Sequence, residues 1–217
     1  MTILYAVYGA GGLGREVMPL LRQKIHDGGS LFFVVDDKNN MSQVNGYPVL
    51  SFEEFKNHKA YEKYFIVAIS DGEVRARIFE RCCSAGFKPY SLVADNVIIM
   101  DDVKLGAGAI LSPFSCLTSN IEIGLCFQAN IYSYVGHDCR VGDYVTLAPG
   151  VKCNGNVVIE NHVYVGAGAI IKPGSRSSPT IIGRGATIGM GAVVIQNVAP
   201  GAHVFGNPAR TFSINKN

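Results

Sequence analysis

Charge is scarce in this sequence of 217 residues: Asp, Glu, Lys and Arg make up 17% of it, and nineteen basic against seventeen acidic residues leave a formal +2. A charge so thin and so balanced supplies no broad basic field for a phosphate backbone, which excludes nucleic acid as a general partner. With 48% apolar residues the composition is also the reverse of a disordered one. No apolar run approaches the roughly eighteen residues needed to span a bilayer, so no membrane span is predicted. The opening Met1-Thr2-Ile3-Leu4-Tyr5 lacks a basic region before it reaches Gly9, which predicts an unprocessed, cytoplasmic protein. Six cysteines are present with no CxxC and one adjacent pair, Cys82-Cys83. That fits neither a disulfide framework nor a zinc ligand set, so reduced thiols and no metal are expected.

The averages hide a boundary. Residues 1–96 carry 22 charged side chains and 9 glycines, whereas residues 97–200 carry 12 and 14, so two architectures share the chain: a domain at 1–96 and another at 97–217. In the first, Ile3–Tyr8 is an apolar run entering Gly9-Ala-Gly-Gly-Leu-Gly14, after which Val17, Leu20, Leu21 and Ile25 follow helical spacing. Leu31–Val35 reads as a buried strand ending at Asp36-Asp37, and Phe65–Ile69 as another ending at Ser70-Asp71. Ser51-x-x-Glu54 begins a short helix as a capping box; Val74, Ile78 and Cys82 mark a third helix, with Gly86 placed to end it. Such alternation predicts a small parallel βαβ sheet of Rossmann-like α/β class. The glycines let backbone approach a phosphate at a helix N-terminus. Asp36, at a strand end 22 residues past Gly14, also completes an acceptable NAD fingerprint. The chain has no room for a separate hydride-transfer domain, which tells against that cofactor.

The second half repeats. Stepping by six from Leu105 gives Leu111, Leu117, Ile123, Ala129, Val135, Val141, Leu147, Cys153, Ile159, Val165 and Ile171, all apolar or small. A second register two residues earlier, Val103, Ala109, Ser115, Ile121, Phe127 and onward, behaves likewise, so both point inward and the residue between points out. Gly often follows the first register, where the chain turns a corner. Three short strands per coil make a triangular parallel β-helix of eighteen-residue coils stacked at roughly 4.8 Å. The phase slips by five residues after Ile171, which places a protruding loop at Gly174–Thr180.

These hexads, the closing Gly206-Asn-Pro-Ala-Arg210 and the segment Tyr134-Val-Gly-His-Asp-Cys-Arg-Val-Gly-Asp143 resemble the hexapeptide-repeat acyltransferases with a left-handed β-helix. Taken with the glycine-rich first domain, the chain is similar to the nucleotide-sugar N-acetyltransferases that act on 4-amino-4,6-dideoxy sugars. It also resembles the related sugar O-acyltransferases of the sialic acid type. The resemblance implies acetyl transfer from acetyl-CoA to the amino group of a nucleotide-linked sugar, in polysaccharide biosynthesis. O-acetylation of a sugar hydroxyl and a non-catalytic nucleotide-binding scaffold are the alternatives.

Acetyl transfer to an amine needs a base for its proton, and histidine suits neutral pH. His137 lies two residues beyond inward Val135, at a corner, so its ring should project from the column. The resemblance assigns Asp138 to hold that ring in one tautomer. Cys139 belongs to the inward register, which predicts a buried thiol and tells against covalent catalysis. His162, 25 residues beyond His137, should occupy a different corner, which tells against a shared metal. The resemblance further implies Gly11, Gly12, Asp36, Asp37, Ser70 and Asp71 as contacts to the nucleotide-sugar. Asn154, Gly155, Gly166 and Gly168 are the implied contacts to acetyl-CoA. Outward Ile110, Cys116, Cys126, Tyr132, Tyr134 and Val158 are more apolar than a solvated face requires. A C3 homotrimer that buries them is therefore expected.

Overall fold

The apolar runs of the first half do form a parallel sheet. In the computed structural model, which describes residues 2–212, strand β1 (Ile3–Tyr8) leads to helix α1 (Gly12–Lys24) and strand β2 (Ser30–Val35). A short hairpin of β3 (Gln43–Val44) and β4 (Tyr47–Ser51) follows, then α2 (Phe52–Asn57), β5 (Glu62–Val67), α3 (Gly72–Ser84) and β6 (Lys88–Pro89). The strand order is β3-β4-β2-β1-β5-β6. β1 pairs in parallel with both β2 and β5, and Leu4–Tyr8 are all buried, as a strand covered on both faces must be. The hairpin had no counterpart in the apolar pattern, although Asn45-Gly46 between its strands is a strong turn signal. Helix α1 buries Val17, Met18 and Leu21. A Cβ at Gly14 would overlap the Gly9 carbonyl, so glycine there lets the helix start hard against the loop. The Ser51 hydroxyl accepts from Glu54 N–H while the Glu54 carboxylate accepts from Ser51 N–H, the capping box expected.

The second half is a left-handed parallel β-helix with three sheets of eight, six and five strands. Cys116 pairs with Tyr134, Tyr134 with Lys152 and Lys152 with Ile170, each step one eighteen-residue coil. From Ile170 the next partner is Val193, so this coil holds five extra residues. The insertion falls in the stretch between Ile171 and Thr180, where Ser175–Ser178 are exposed and Ser175 bridges to Ser178. Apart from Val103 and Leu105 in the first coil, both hexad registers are buried as far as Ile171, and they form one continuous core.

Two expectations need correction. The glycines after the first register, such as Gly106, Gly136 and Gly166, are not in the left-handed region. A Cβ on any of them would collide with the backbone of the next coil, so they are small to let coils stack. The left-handed turn falls two residues later, as at Gly108, Asp138 and Gly168. Ile110 and Cys126, expected to face outward, are each 1% exposed within the single chain, and Cys126 is a left-handed corner residue rather than mid-strand. Neither is available to a neighbouring copy.

The chain divides into two compact units, one holding residues up to Ser70 with Val74–Leu92, the other Asp71–Glu73 and residues from Val93 on. The division falls after Leu92 rather than Asn96. No helix among the described residues is long and apolar enough to cross a membrane.

Candidate active site

One corner of the column is built from Asp102, Asn120, Asp138 and Asn156, each with φ between 53° and 58°. Asp and Asn are the side chains that tolerate this left-handed conformation best, so the eighteen-residue repeat fixes where Asp138 sits. His137 stands just before it with its side chain 63% exposed, projecting from the column as expected. Its Nδ1 lies 2.6 Å from Asp138 Oδ2. A carboxylate can only accept, so Nδ1 carries the proton and donates it, leaving the lone pair on Nε2. Asp138 therefore orients a ring whose free nitrogen is basic.

Cys139 faces inward and is fully buried. Its thiol donates to the Asn154 carbonyl at 3.1 Å and its sulfur receives Val157 N–H, so it is part of the core rather than a nucleophile beside His137. His162 belongs to a different corner, with Cys126 and Tyr144. It stacks on Tyr144 with ring centroids 5.2 Å apart, and Nδ1 is 3.5 Å from Glu73 Oε1. Among the described residues, no three His, Cys, Asp or Glu side chains gather as ligands for a metal.

The four residues assigned to acetyl-CoA differ in what they can offer. Asn154 is held by the column itself, its Oδ1 accepting from Tyr134 OH and its Nδ2 donating to the Ile171 carbonyl, both at 2.7 Å. Gly155 lies against the His137 ring. Gly166 is buried beneath the next coil, whereas Gly168 is an exposed corner with open space at its Cα. A groove of about 330 Å³ runs beside Asp138, lined also by Lys104, Glu122, Arg140, Asn156 and Arg176 of the insertion. Sequence reasoning missed Arg140 and Arg176; a cation two residues past a corner Asp, and another in an exposed loop, carry no signal by themselves.

In the first unit, the chain leaves β1 toward β2 and the hairpin, then returns to β5 on the other side of β1. This is the topological switch point at which open α/β sheets bind ligands, beyond the carboxyl ends of the strands. The loop Gly9–Gly12, Asp36-Asp37 and Ser70 all follow those ends. Gly11 is the N-cap of α1, and both Gly11 and Gly12 are exposed with open space where a side chain would be. Asp37 accepts from Asn39 N–H in an exposed loop. Asp71 belongs to the segment grouped with the second unit.

Asp36 is more constrained than its position suggested. Its Oδ1 accepts from Tyr8 OH at 2.6 Å and lies 2.8 Å from an Arg81 nitrogen, while the Arg81 guanidinium stacks 3.8 Å from the Phe52 ring. The Tyr8 bond, helped by Arg81, holds the Asp36 carboxyl below its ordinary range; burial and the same bond push the Tyr8 phenol up. A lowered carboxylate pKa stabilises the fold above the unfolded value of about 4, and that contribution is lost as pH falls through the folded value. The gap in thermal midpoint between the native protein and Asp36→Asn should therefore be full above about pH 5 and narrow steadily below about pH 4. A gap independent of pH would show that the network does not titrate.

Residues 5–82 match the PglD N-terminal domain. The chain is 49% identical over 210 residues to GDP-perosamine N-acetyltransferase of Escherichia coli O157:H7, covering 95% of each. Among solved structures, WeeI from Acinetobacter baumannii AYE superposes with a TM-score of 0.94 at 48% identity, over 97% of this chain and 100% of that one. The acetyltransferase domain of PglB from Neisseria gonorrhoeae, in complex with acetyl coenzyme A, superposes with 0.74 at 26% identity, over 96% and 98%. A glycine-rich α/β unit, a hexad column, an exposed His-Asp pair at its corner and these full-length likenesses place the chain in the family of hexapeptide-repeat nucleotide-sugar N-acetyltransferases.

Proposed function

We propose that the protein moves the acetyl group of acetyl-CoA onto the amino group of a nucleotide-linked 4-amino-4,6-dideoxy sugar, with GDP-perosamine as acceptor. The observation that carries this reading is the His137–Asp138 pair, an oriented base projecting from the column. The name of the Escherichia coli relative supports the acceptor, and the acetyl-CoA bound by the Neisseria domain supports the donor. The amine nitrogen attacks the thioester carbon directly. As the C–N bond forms, Nε2 of His137 takes a proton from nitrogen; the C–S bond then breaks and the proton passes to the departing thiolate. Asp138 steadies the imidazolium between these steps.

In this reading the nucleotide occupies the crevice lined by Gly11, Gly12, Asp36, Asp37 and Ser70, with Asp71 following. The Gly166–Gly168 segment, which ends at the exposed Gly168 corner, lies along the donor's path. The working form is a C3 trimer in the cytoplasm, supplying acetylated sugar for polysaccharide assembly. Exposed Ile98, Phe114, Ile131 and Tyr132 on the column support burial against a second copy. The test is a panel of GDP-, UDP- and dTDP-linked 4-amino sugars with acetyl-CoA, following free thiol. GDP-perosamine should give the highest kcat/KM; equal or better turnover of a UDP- or dTDP-linked sugar would overturn the choice of nucleotide.

A further inference from the structure

We infer that Gly155 is a positioning residue for the base: the floor on which the His137 imidazole lies, kept free of a side chain so that the ring can hold its orientation. The inference rests on the reading of His137 as the base. Gly155 sits one coil beyond His137, and its backbone is not in the left-handed region, so its conformation does not call for glycine. Nor does stacking between coils. A Cβ at Gly136 or Gly166 would meet backbone atoms of the next coil, whereas at Gly155 the three nearest atoms all belong to the His137 ring.

The distances are 2.5 Å to Nε2, 2.6 Å to Cε1 and 2.9 Å to Cδ2. Values so even describe a point over the face of the ring, since a point in its plane beyond Nε2 would be clearly farther from both carbons. A methyl group there would lift the imidazole, which Asp138 holds at Nδ1 by a 2.6 Å bond. The ring would then give up that bond or turn Nε2 away from the amine. An ångström of misplacement can cost on the order of 100-fold in rate. The nearest obstacles belong to an exposed side chain that can move, whereas at Gly136 and Gly166 they are backbone.

The experiment is a double-mutant cycle. Gly155→Ala should keep its thermal midpoint within about 3 °C and lower kcat about 10- to 100-fold, with KM for acetyl-CoA within about two-fold. In the His137→Ala background it should change the residual rate less than about two-fold. An equal loss in both backgrounds, a raised KM with kcat preserved, or full activity would overturn the inference. If His137→Ala alone retained turnover, it is the choice of base that would fail. Should Gly155→Ala not fold, the native protein decides: nuclear Overhauser contacts between the Gly155 α protons and the His137 ring protons are expected, and their absence contradicts the arrangement.

Discussion

Replacing His137 by alanine is expected to lower kcat by about two to four orders of magnitude while leaving KM for acetyl-CoA within about three-fold. The size follows from what the side chain does. In the proposed mechanism the attacking amine sheds a proton as it bonds to carbon, and water is a poor substitute for an imidazole that the 2.6 Å Asp138 bond at Nδ1 holds in place, with the lone pair of its neutral tautomer on Nε2. The selectivity for kcat follows from the same geometry, because the ring projects from the column with 63% of its side chain exposed and supports no part of the core. Steady-state kinetics on the variant, with thermal unfolding as a control for folding, checks both. A variant with near-native turnover would remove His137 from the mechanism, and one with a greatly raised KM would make it a binding residue.

The largest effect on stability is expected at Phe127. Its ring is fully buried at an inward position where the coils before and after carry Ala109 and Val145 in the same register. The ring therefore fills space that neither neighbour can reach, and coils tied by backbone bonds such as Ile110 N–H to the Phe127 carbonyl cannot close in. Phe127→Ala should cost about 3–5 kcal/mol, combining lost transfer energy with a persistent cavity. Against a total of roughly 5–15 kcal/mol for a domain, that is enough to lower the denaturant midpoint severely. A loss below about 1 kcal/mol would mean that the column repacks.

Much of the second unit was legible because a coil has a fixed length: every inward residue meets its counterpart eighteen positions on, so one hexad register predicts sheet pairing, core and the loop after Ile171 together. His137 and Asp138 were legible for the same reason, since corners recur with the coils. What stayed hidden depended on side chains that sequence distance does not bring together. Arg81 reaches Asp36 from a helix 45 residues away, and nothing in its surroundings announces it. Ile110 alternates like an outward residue yet is buried, because the hexads say which way a residue points and not what covers it. Gly155 was assigned to the donor, although one coil's step from His137 already lands on it; its meaning lay in the ring that occupies the space where its side chain would be.

The proposed acetyl transfer is tested most plainly by the product of the purified protein with acetyl-CoA and GDP-perosamine, identified by mass spectrometry and NMR alongside the yield of free thiol. One acetyl group per sugar is expected, joined as an amide to the sugar nitrogen, with one free thiol for each amide formed. Acetyl found as an ester on oxygen, or thiol release that proceeds equally without the amino sugar, would contradict it.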